Sequence, residues 1–110
     1  MERFVKGDVV ILPFPYTDSS GTKKRPALVI ANIKGDSIIL AQITTKKRDD
    51  KDLINLTKAD FYSGSLKHDS FIMTSIIFTA DQSKINYKAG QLTQDKIKQV
   101  EKQLCEIFTR

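Results

Sequence analysis

Cysteine, histidine and long apolar runs are scarce in this sequence, and each shortage excludes a class of protein. The single cysteine, Cys105, excludes an internal disulfide and a cysteine-based metal site. The single histidine, His68, excludes histidine-paired zinc sites and two-histidine ribonuclease chemistry. No stretch reaches the length of a membrane span, residues 1–6 lack a signal-peptide core, and no glycine-rich run precedes a helix pattern. We therefore expect a cytoplasmic protein with no cofactor and no metal.

The charge balance favours a polyanionic partner. The 110 residues include 18 Lys and Arg against 13 Asp and Glu, a formal charge of +5, which suits nucleic acid. Six of the cations form two runs, at residues 23–25 and 46–48. Asp49, Asp50 and Asp52 follow the second run, and we expect them to be solvated loop residues that partly offset its field.

Short apolar segments between turn residues predict a mainly β fold in a single domain over residues 1–110. The strand candidates are residues 9–12, ending at Pro13, and residues 26–31, 38–45, 53–56 and 70–79. Thr57 is predicted to cap a one-turn helix, residues 62–65 to turn, and residues 81–90 to be irregular. Five or six such strands predict a small curled sheet or barrel.

The last element is predicted to be an amphipathic helix capped by Thr93. Its apolar residues recur at helical spacing: Ile97, Val100, Leu104, Ile107 and Phe108. Cys105 lies beside this stripe, and we expect it to behave as a small buried hydrophobe.

Arg25 is the first candidate for a functional side chain. Proline lacks an N–H and pushes the preceding residue towards extended geometry, so Pro26 is predicted at the first rung of the second strand, with Arg25 just outside it. A planar guanidinium fixed at a strand end suits phosphate recognition. The alternative is a solvated cation that happens to precede a strand.

The hairpin between the second and third strands brings Thr44 towards Arg25. If residues 34–35 form a two-residue loop, paired positions sum to 69 and Arg25 faces Thr44. If residues 35–36 form the loop, Arg25 faces Lys46 and Thr44 lies diagonally across on the same face. Both registers keep Arg25 and Thr44 within side-chain reach, although a bulge would disturb the pairing.

Two further features leave alternatives open. Phe14 and Tyr16 either close over the core or offer flat faces on which unstacked bases could stack. His68, in a charged turn, is either an ordinary surface residue or a group that assists proton transfer or contacts a base.

Several segments resemble the MazF/PemK family of toxin endoribonucleases, in the same order along nearly the whole chain. They are Gly7-Asp8-Val9-Val10, Phe14-Pro15, residues 24–30, residues 41–45, residues 69–72 and 78–81, and Gly90-x-Leu92 with the helix that follows. The resemblance implies an SH3-like barrel of five to seven strands with a C-terminal helix, usually as a homodimer. It also implies metal-independent cleavage of single-stranded RNA, chiefly mRNA. An acidic antitoxin would silence the activity, and operator DNA would be bound only through that antitoxin.

The resemblance assigns the catalytic roles to Arg25 and Thr44. Arg25 would stabilise charge on the phosphate while a ribose 2′-hydroxyl attacks, leaving a 2′,3′-cyclic phosphate and a 5′-hydroxyl. Thr44 would position the phosphate or relay a proton. The residues expected to bind RNA surround that pair: Tyr16, Thr17, Ser20, Lys23, Lys24, Thr45, Lys46, Lys47, Arg48 and His68.

The sequence departs from the family at three positions. Many relatives have Glu or Gln where this chain has Ser20, and some have an arginine and an acid where this chain has Met73 and Ser75. A chain without that late pair would depend on Arg25 and Thr44 alone, cleave slowly, or have a different specificity. The competing hypothesis is a non-catalytic barrel that binds single-stranded nucleic acid or an antitoxin-like protein.

Overall fold

Seven strands and one α-helix make up most of the described part of the chain. The computed structural model describes residues 4–15 and 22–110. The strands are β1 (Asp8–Pro15), β2 (Thr22–Asn32), β3 (Ser37–Thr44), β4 (Leu53–Leu56), β5 (Phe61–Gly64), β6 (Ser70–Asp81) and β7 (Tyr87–Leu92). The helix α1 (Gln94–Phe108) follows, and single 3₁₀ turns occupy Lys58–Asp60 and Gln82–Lys84. The predicted mainly β fold with a C-terminal helix is confirmed.

The sheet is curled because its two edge strands are consecutive in the chain. The strand order is β4-β6-β3-β2-β1-β7-β5, so only residues 57–60 connect one edge to the other. Five Cα steps span at most about 18 Å. Seven strands in a flat sheet would hold the edges about 29 Å apart. The sheet must therefore bend back on itself into a half-barrel.

Apolar side chains cover both faces of the central strands. On one face, Ile43 and Ile72 belong to the cluster that packs against Ile97, Val100 and Leu104 of α1. On the other face, a second cluster contains Val10, Leu12, Ala27, Val29, Ile38 and Leu40. Each fully buried Leu or Ile stabilises the fold by about 1.5–3 kcal/mol. The two-sided burial explains why these strands read as unbroken apolar runs.

Both prolines that were predicted to bound strands lie inside them instead. β1 continues through Pro13, where it pairs with Lys24, and Pro26 lies within β2 opposite Ile11. The physical reason is that each proline lacks a paired strand on one side. β1 pairs with β7 only as far as Ile11, and β2 pairs with β3 only from Ala27 onward. Each proline therefore has a strand on one side only, and its missing N–H breaks no ladder on the other side.

The turn predicted at residues 62–65 is wrong, and the irregular segment predicted at residues 81–90 is wrong from Tyr87 onward. These residues form β5 and β7, which pair with each other. The pairing is close: a Cβ on Gly64 (φ +68°) would lie 2.2 Å from the Ala89 carbonyl oxygen, and one on Gly90 would lie 2.5 Å from the Ser63 carbonyl oxygen. Gly64, predicted in a turn, and Gly90, predicted in an irregular segment, thus allow two strands to approach each other.

The helix begins as predicted, with the Thr93 hydroxyl accepting a hydrogen bond from the Lys96 N–H at 3.3 Å. The expectation for Cys105 is wrong, because this residue is exposed. It lies about 100° around the helix from buried Leu104, which turns it away from the sheet. Phe108 is also exposed, at 71 % of its surface. Among the described residues, no helix is both long enough and apolar enough to cross a membrane.

Candidate active site

The register of the β2–β3 hairpin, extended two residues beyond its last pair, brings Arg25 opposite Thr44. Ala27 pairs with Gln42 and Val29 with Leu40, so paired positions sum to 69. Continuing that ladder by two residues brings Arg25 to Thr44, and residues directly opposite each other share a sheet face. On its other side Arg25 pairs with Leu12 of β1. Arg25 is therefore mounted on a segment of β2 that pairs with β1, just beyond the point where the ladder with β3 ends at Ala27.

The hairpin reaches this register by a route that differs from both predicted loops. The Ile33 N–H donates to the Ser37 carbonyl oxygen at 2.9 Å, so residues 34–36 form a three-residue loop and paired positions near it sum to 70. A bulge between Val29 and Ala31 then shifts the sum to 69. We expected a bulge to disturb the pairing. Instead, this bulge offsets the extra loop residue and restores the predicted register.

Thr44 lies at the end of β3, with its hydroxyl held in place. The residue is 4 % exposed, and its Oγ1 accepts a hydrogen bond from the Lys46 N–H at 3.1 Å. A hydroxyl that accepts one bond still has its own hydrogen to donate. Arg25 is half-buried at the same sheet end. The pair thus offers a charged fork and a neutral donor on one face.

Basic residues surround this pair because, in an antiparallel sheet, the start of one strand lies beside the end of its neighbour. The start of β2, the end of β3 and the start of β6 meet here, since Thr44 pairs with Phe71. The exposed side chains at this end include the acids Asp49 and Asp69 and a larger basic and polar set: Lys23, Lys24, Thr45, Lys46, Lys47, Arg48, Lys67 and His68. Lys23 shares the face of Arg25, whereas Lys24 faces the opposite way. We call this surface the basic end.

Three predicted RNA-binding residues, Tyr16, Thr17 and Ser20, lie outside the described residues. Among those that are described, no group of three or more His, Cys, Asp and Glu could hold a metal ion. The late-strand positions bear no charge pair: Met73 is buried opposite Gln42, and exposed Ser75 contacts the Asp50 carboxylate at 3.4 Å.

An apolar groove of about 660 Å³ borders the pair on the same sheet face. Leu12 and Gln42, which line it, are neighbours of Arg25 and Thr44 in the ladders. Phe14 packs edge-to-face on Phe78, with ring centroids 5.2 Å apart, so part of the Phe14 surface does close over the core. The other lining residues are Pro13, Ile76, Thr79, Ala80 and Lys84. The groove offers aromatic edges and one amide beside the basic end.

The prediction that Asp52 is a solvated loop residue is wrong. Its side chain turns inward, where the carboxylate accepts hydrogen bonds from Arg110 at 2.6 and 3.2 Å and from Gln103 at 2.7 Å. Only 7 % of the residue surface is exposed. The Arg110 guanidinium beside it lowers the pKa of Asp52, against the opposing effect of desolvation.

This lowered pKa predicts an acid-sensitive contribution to stability. Because the pKa of Asp52 is lower in the folded state than in the unfolded state, the contribution is complete above about pH 4. It is lost as the pH falls through the folded-state pKa. We expect the unfolding midpoint of wild type to exceed that of Asp52→Asn at pH 6, and the gap to shrink below pH 4. Thermal unfolding from pH 7 to pH 2 measures it.

Asp49→Asn is the control for this measurement. Its side chain is exposed and makes no ion pair with any described residue. Its midpoint should therefore follow wild type at every pH. A gap for Asp52→Asn that stays constant down to pH 2 contradicts the assignment.

Sequence reasoning missed two parts of the site. Gln42 is the one polar residue within the apolar run 38–43, and that isolation is a signal that could have identified it. The contact between Asp52 and Arg110 joins residues 58 positions apart, and no local pattern predicts it.

Comparison with known proteins identifies the family and shows which solved structures share the fold. The family model described as "PemK-like, MazF-like toxin of type II toxin-antitoxin system" matches residues 5–108. None of the curated protein sequences matches the chain. Solved structures of MazF (Form-I) and MazE–MazF (Form-III) from Deinococcus radiodurans superpose with a TM-score of 0.77 each, at 16 % and 18 % identity. The first alignment covers 100 % of both chains and the second 98 % of both.

A mycobacterial endoribonuclease, solved in complex with its cognate antitoxin, has a TM-score of 0.73 at 14 % identity. Its alignment covers 96 % of this chain and 95 % of that one. At these identities, the likeness to solved structures shows the fold alone. The match of the family model, over nearly all of the sequence, confirms the family that the sequence segments predicted.

Proposed function

Because the chain belongs to the PemK-like, MazF-like toxins of type II toxin–antitoxin systems, we propose that it is a metal-independent endoribonuclease acting on single-stranded RNA, chiefly mRNA. The observation that supports the proposal most is the register that sets Arg25 opposite Thr44 at the basic end. A phosphodiester there would meet a guanidinium, a neutral hydroxyl and several exposed cations.

The reaction proposed is attack of a ribose 2′-oxygen on the adjacent phosphorus. The new P–O2′ bond forms as the P–O5′ bond breaks, the 2′-hydroxyl loses its proton, and the departing 5′-oxygen gains one. Negative charge builds on the two nonbridging oxygens, and the planar fork of Arg25 suits a bidentate contact with them. The Thr44 hydroxyl is far too weakly acidic to serve as a base at neutral pH. It would orient the phosphate by donating a hydrogen bond.

The RNA backbone would follow the exposed cations of the basic end, while its bases turn towards the apolar groove. Unstacked bases can stack on aromatic side chains and hydrogen-bond to a side-chain amide, and the groove is lined by Phe14, Phe78 and Gln42. Lys23 lies on the Arg25 face and is the better placed of the two lysines of β2 to contact phosphate. His68 would contact RNA from the segment leading into β6.

The remaining roles follow from the family. We propose that the chain acts in the cytoplasm as a homodimer, and that an acidic antitoxin inhibits it by occupying the basic end. Contact with operator DNA would then occur only through the antitoxin. Sedimentation of the purified protein measures the dimer, and titration with an acidic antitoxin measures the inhibition.

The proposed activity is tested with a 5′-labelled single-stranded RNA in buffer containing EDTA. We expect cleavage at a rate unchanged by the chelator, with products ending in a 2′,3′-cyclic phosphate and a 5′-hydroxyl. End-group analysis by mass spectrometry identifies both ends. Salt-sensitive RNA binding without products would instead favour the non-catalytic barrel, and products with 5′-phosphate ends would contradict the mechanism.

A further inference from the structure

The segment between β3 and β4, residues 45–52, has a sharp internal division of charge. We call it the basic loop. Its first half presents Lys46, Lys47 and Arg48 to solvent, whereas its last residue, Asp52, is buried against α1. The sequence shows that acids follow the cations, but it does not show that Asp52 is buried. The cations of the loop are therefore exposed to a ligand, while the end of the loop is anchored to the rest of the protein.

We propose that Asp52 and Arg110 position the basic loop for RNA binding. The role rests on the proposed function, because it assumes that the cations of this loop contact RNA phosphates. Asp52 and Arg110 would touch no substrate. They would act through Lys46, Lys47 and Arg48, and are positioning residues.

The end of the basic loop is held through both its side chain and its main chain. Two Arg110 nitrogens donate hydrogen bonds to the Asp52 carboxylate, at 2.6 and 3.2 Å, and Gln103 donates a third at 2.7 Å. The Asp52 carbonyl oxygen accepts the buried Thr74 hydroxyl at 2.7 Å, and the Asp52 N–H donates to Asp50 at 2.8 Å. A bidentate pair with further hydrogen bonds restricts geometry far more than a single exposed ion pair.

The Arg110 guanidinium is also held in the orientation that this contact requires. Glu106, one turn earlier on α1, accepts a hydrogen bond from Arg110 Nε at 2.9 Å, which fixes the orientation of the fork. Arg110 also follows the carboxyl end of α1, where a cation is favoured by the helix dipole. The basic loop is thus tied to the helix at one end. At the other end, the Thr44 hydroxyl holds the Lys46 N–H.

The fixed geometry of the basic loop also reduces the effect of its acidic side chains on its exposed cations. With its carboxylate neutralised by Arg110, Asp52 offsets little of the field from the cations that precede it. Asp50 is directed to the Asp52 N–H and to Ser75 of β6, which leaves Asp49 as the exposed acid of the loop. A phosphate approaching Thr44 would therefore meet mainly cations.

A pair of variants with the same charge change tests the proposal. Asp52→Asn and Asp49→Asn each remove one negative charge from the basic loop, but only the first removes the bidentate ion pair with Arg110 and leaves a single amide oxygen as acceptor. If charge alone matters, both variants bind RNA more tightly. If Asp52 positions the loop, Asp52→Asn binds single-stranded RNA about 5- to 10-fold more weakly, while Asp49→Asn binds about twofold more tightly. The opposite signs separate the two explanations.

Three readouts exclude a merely structural effect. In Asp52→Asn, KM for RNA should rise with kcat unchanged, and the slope of log K against log salt should fall by about 1 to 2 as phosphate contacts are lost. Backbone amides of residues 46–51 should exchange hydrogen faster in Asp52→Asn than in Asp49→Asn. Arg110→Gln breaks the same contact from the helix side and should reproduce all three effects, and Arg110→Lys should be intermediate.

The outcomes distinguish this proposal from the proposed function. If wild type cleaves RNA and Asp52→Asn binds RNA as tightly as Asp49→Asn, the positioning role is overturned and the nuclease assignment stands. Unchanged amide exchange in both Asp52→Asn and Arg110→Gln also overturns the role. If wild type neither binds nor cleaves RNA, the proposed function fails and this role fails with it.

Discussion

Arg25→Ala is expected to cleave single-stranded RNA about 10²- to 10³-fold more slowly than wild type, the usual cost of removing a preorganised group that stabilises an oxyanion. The loss should appear in kcat, because the guanidinium is needed most when charge builds on the nonbridging oxygens. Its position on β2, opposite Leu12, is fixed before the substrate arrives. Single-turnover cleavage of a labelled RNA measures the effect.

The fold should tolerate the change. Arg25 is half-buried and is a member of neither apolar cluster of the sheet. The cost to stability should therefore stay within about 1 kcal/mol. Thermal unfolding and circular dichroism of the variant establish that any loss of activity is chemical.

Two further variants make the result specific. Arg25→Lys keeps the charge but loses the planar fork, and should recover only a small part of the activity. Lys24→Ala removes the neighbouring cation, whose side chain points to the other face of β2, and should change cleavage by about threefold or less. Equal cleavage by Arg25→Ala and wild type would overturn the assignment of Arg25.

The placement of Arg25 and Thr44 could be predicted because it depends on local chain geometry. A hairpin has few allowed loops, and the side-chain period of two keeps partners on one face. The prediction nevertheless had the wrong loop length. It reached the observed register because a one-residue bulge after Val29 offsets the extra loop residue. Bulges depend on how a strand curves around its neighbours, which lies beyond local sequence.

Three of the errors share a cause, since each involves residues that are distant in the chain. Gly64 and Gly90 read as turn residues, and only the approach of β5 to β7 shows that they are packing positions. Asp52 reads as a solvated acid, and only the curl of the sheet brings it to Arg110. Pro13 and Pro26 read as strand ends because the sequence does not reveal where a neighbouring strand stops. Local sequence patterns predicted the strands and the helix, whereas the contacts between them determine the surroundings of individual residues.

Thr44→Val is expected to reduce RNA cleavage by about 10²-fold, since the hydroxyl would orient the phosphate against Arg25. Valine has nearly the same shape and suits a strand, so β3 should persist. The variant leaves the Lys46 N–H without its acceptor, which costs about 1–3 kcal/mol of stability if no other group replaces it. Cleavage kinetics and thermal unfolding of the same preparation separate the two effects.

Thr44→Ser and Thr45→Val decide what the hydroxyl does. Serine keeps a hydroxyl that can accept from Lys46 and donate to phosphate, so its cleavage should stay within about tenfold of wild type. Thr45 is exposed beyond the end of β3, and its loss should leave kcat unchanged. If Thr44→Val raises KM and spares kcat, the hydroxyl serves only to hold the basic loop through Lys46. If kcat falls, as we expect, the hydroxyl acts on the reacting phosphate itself.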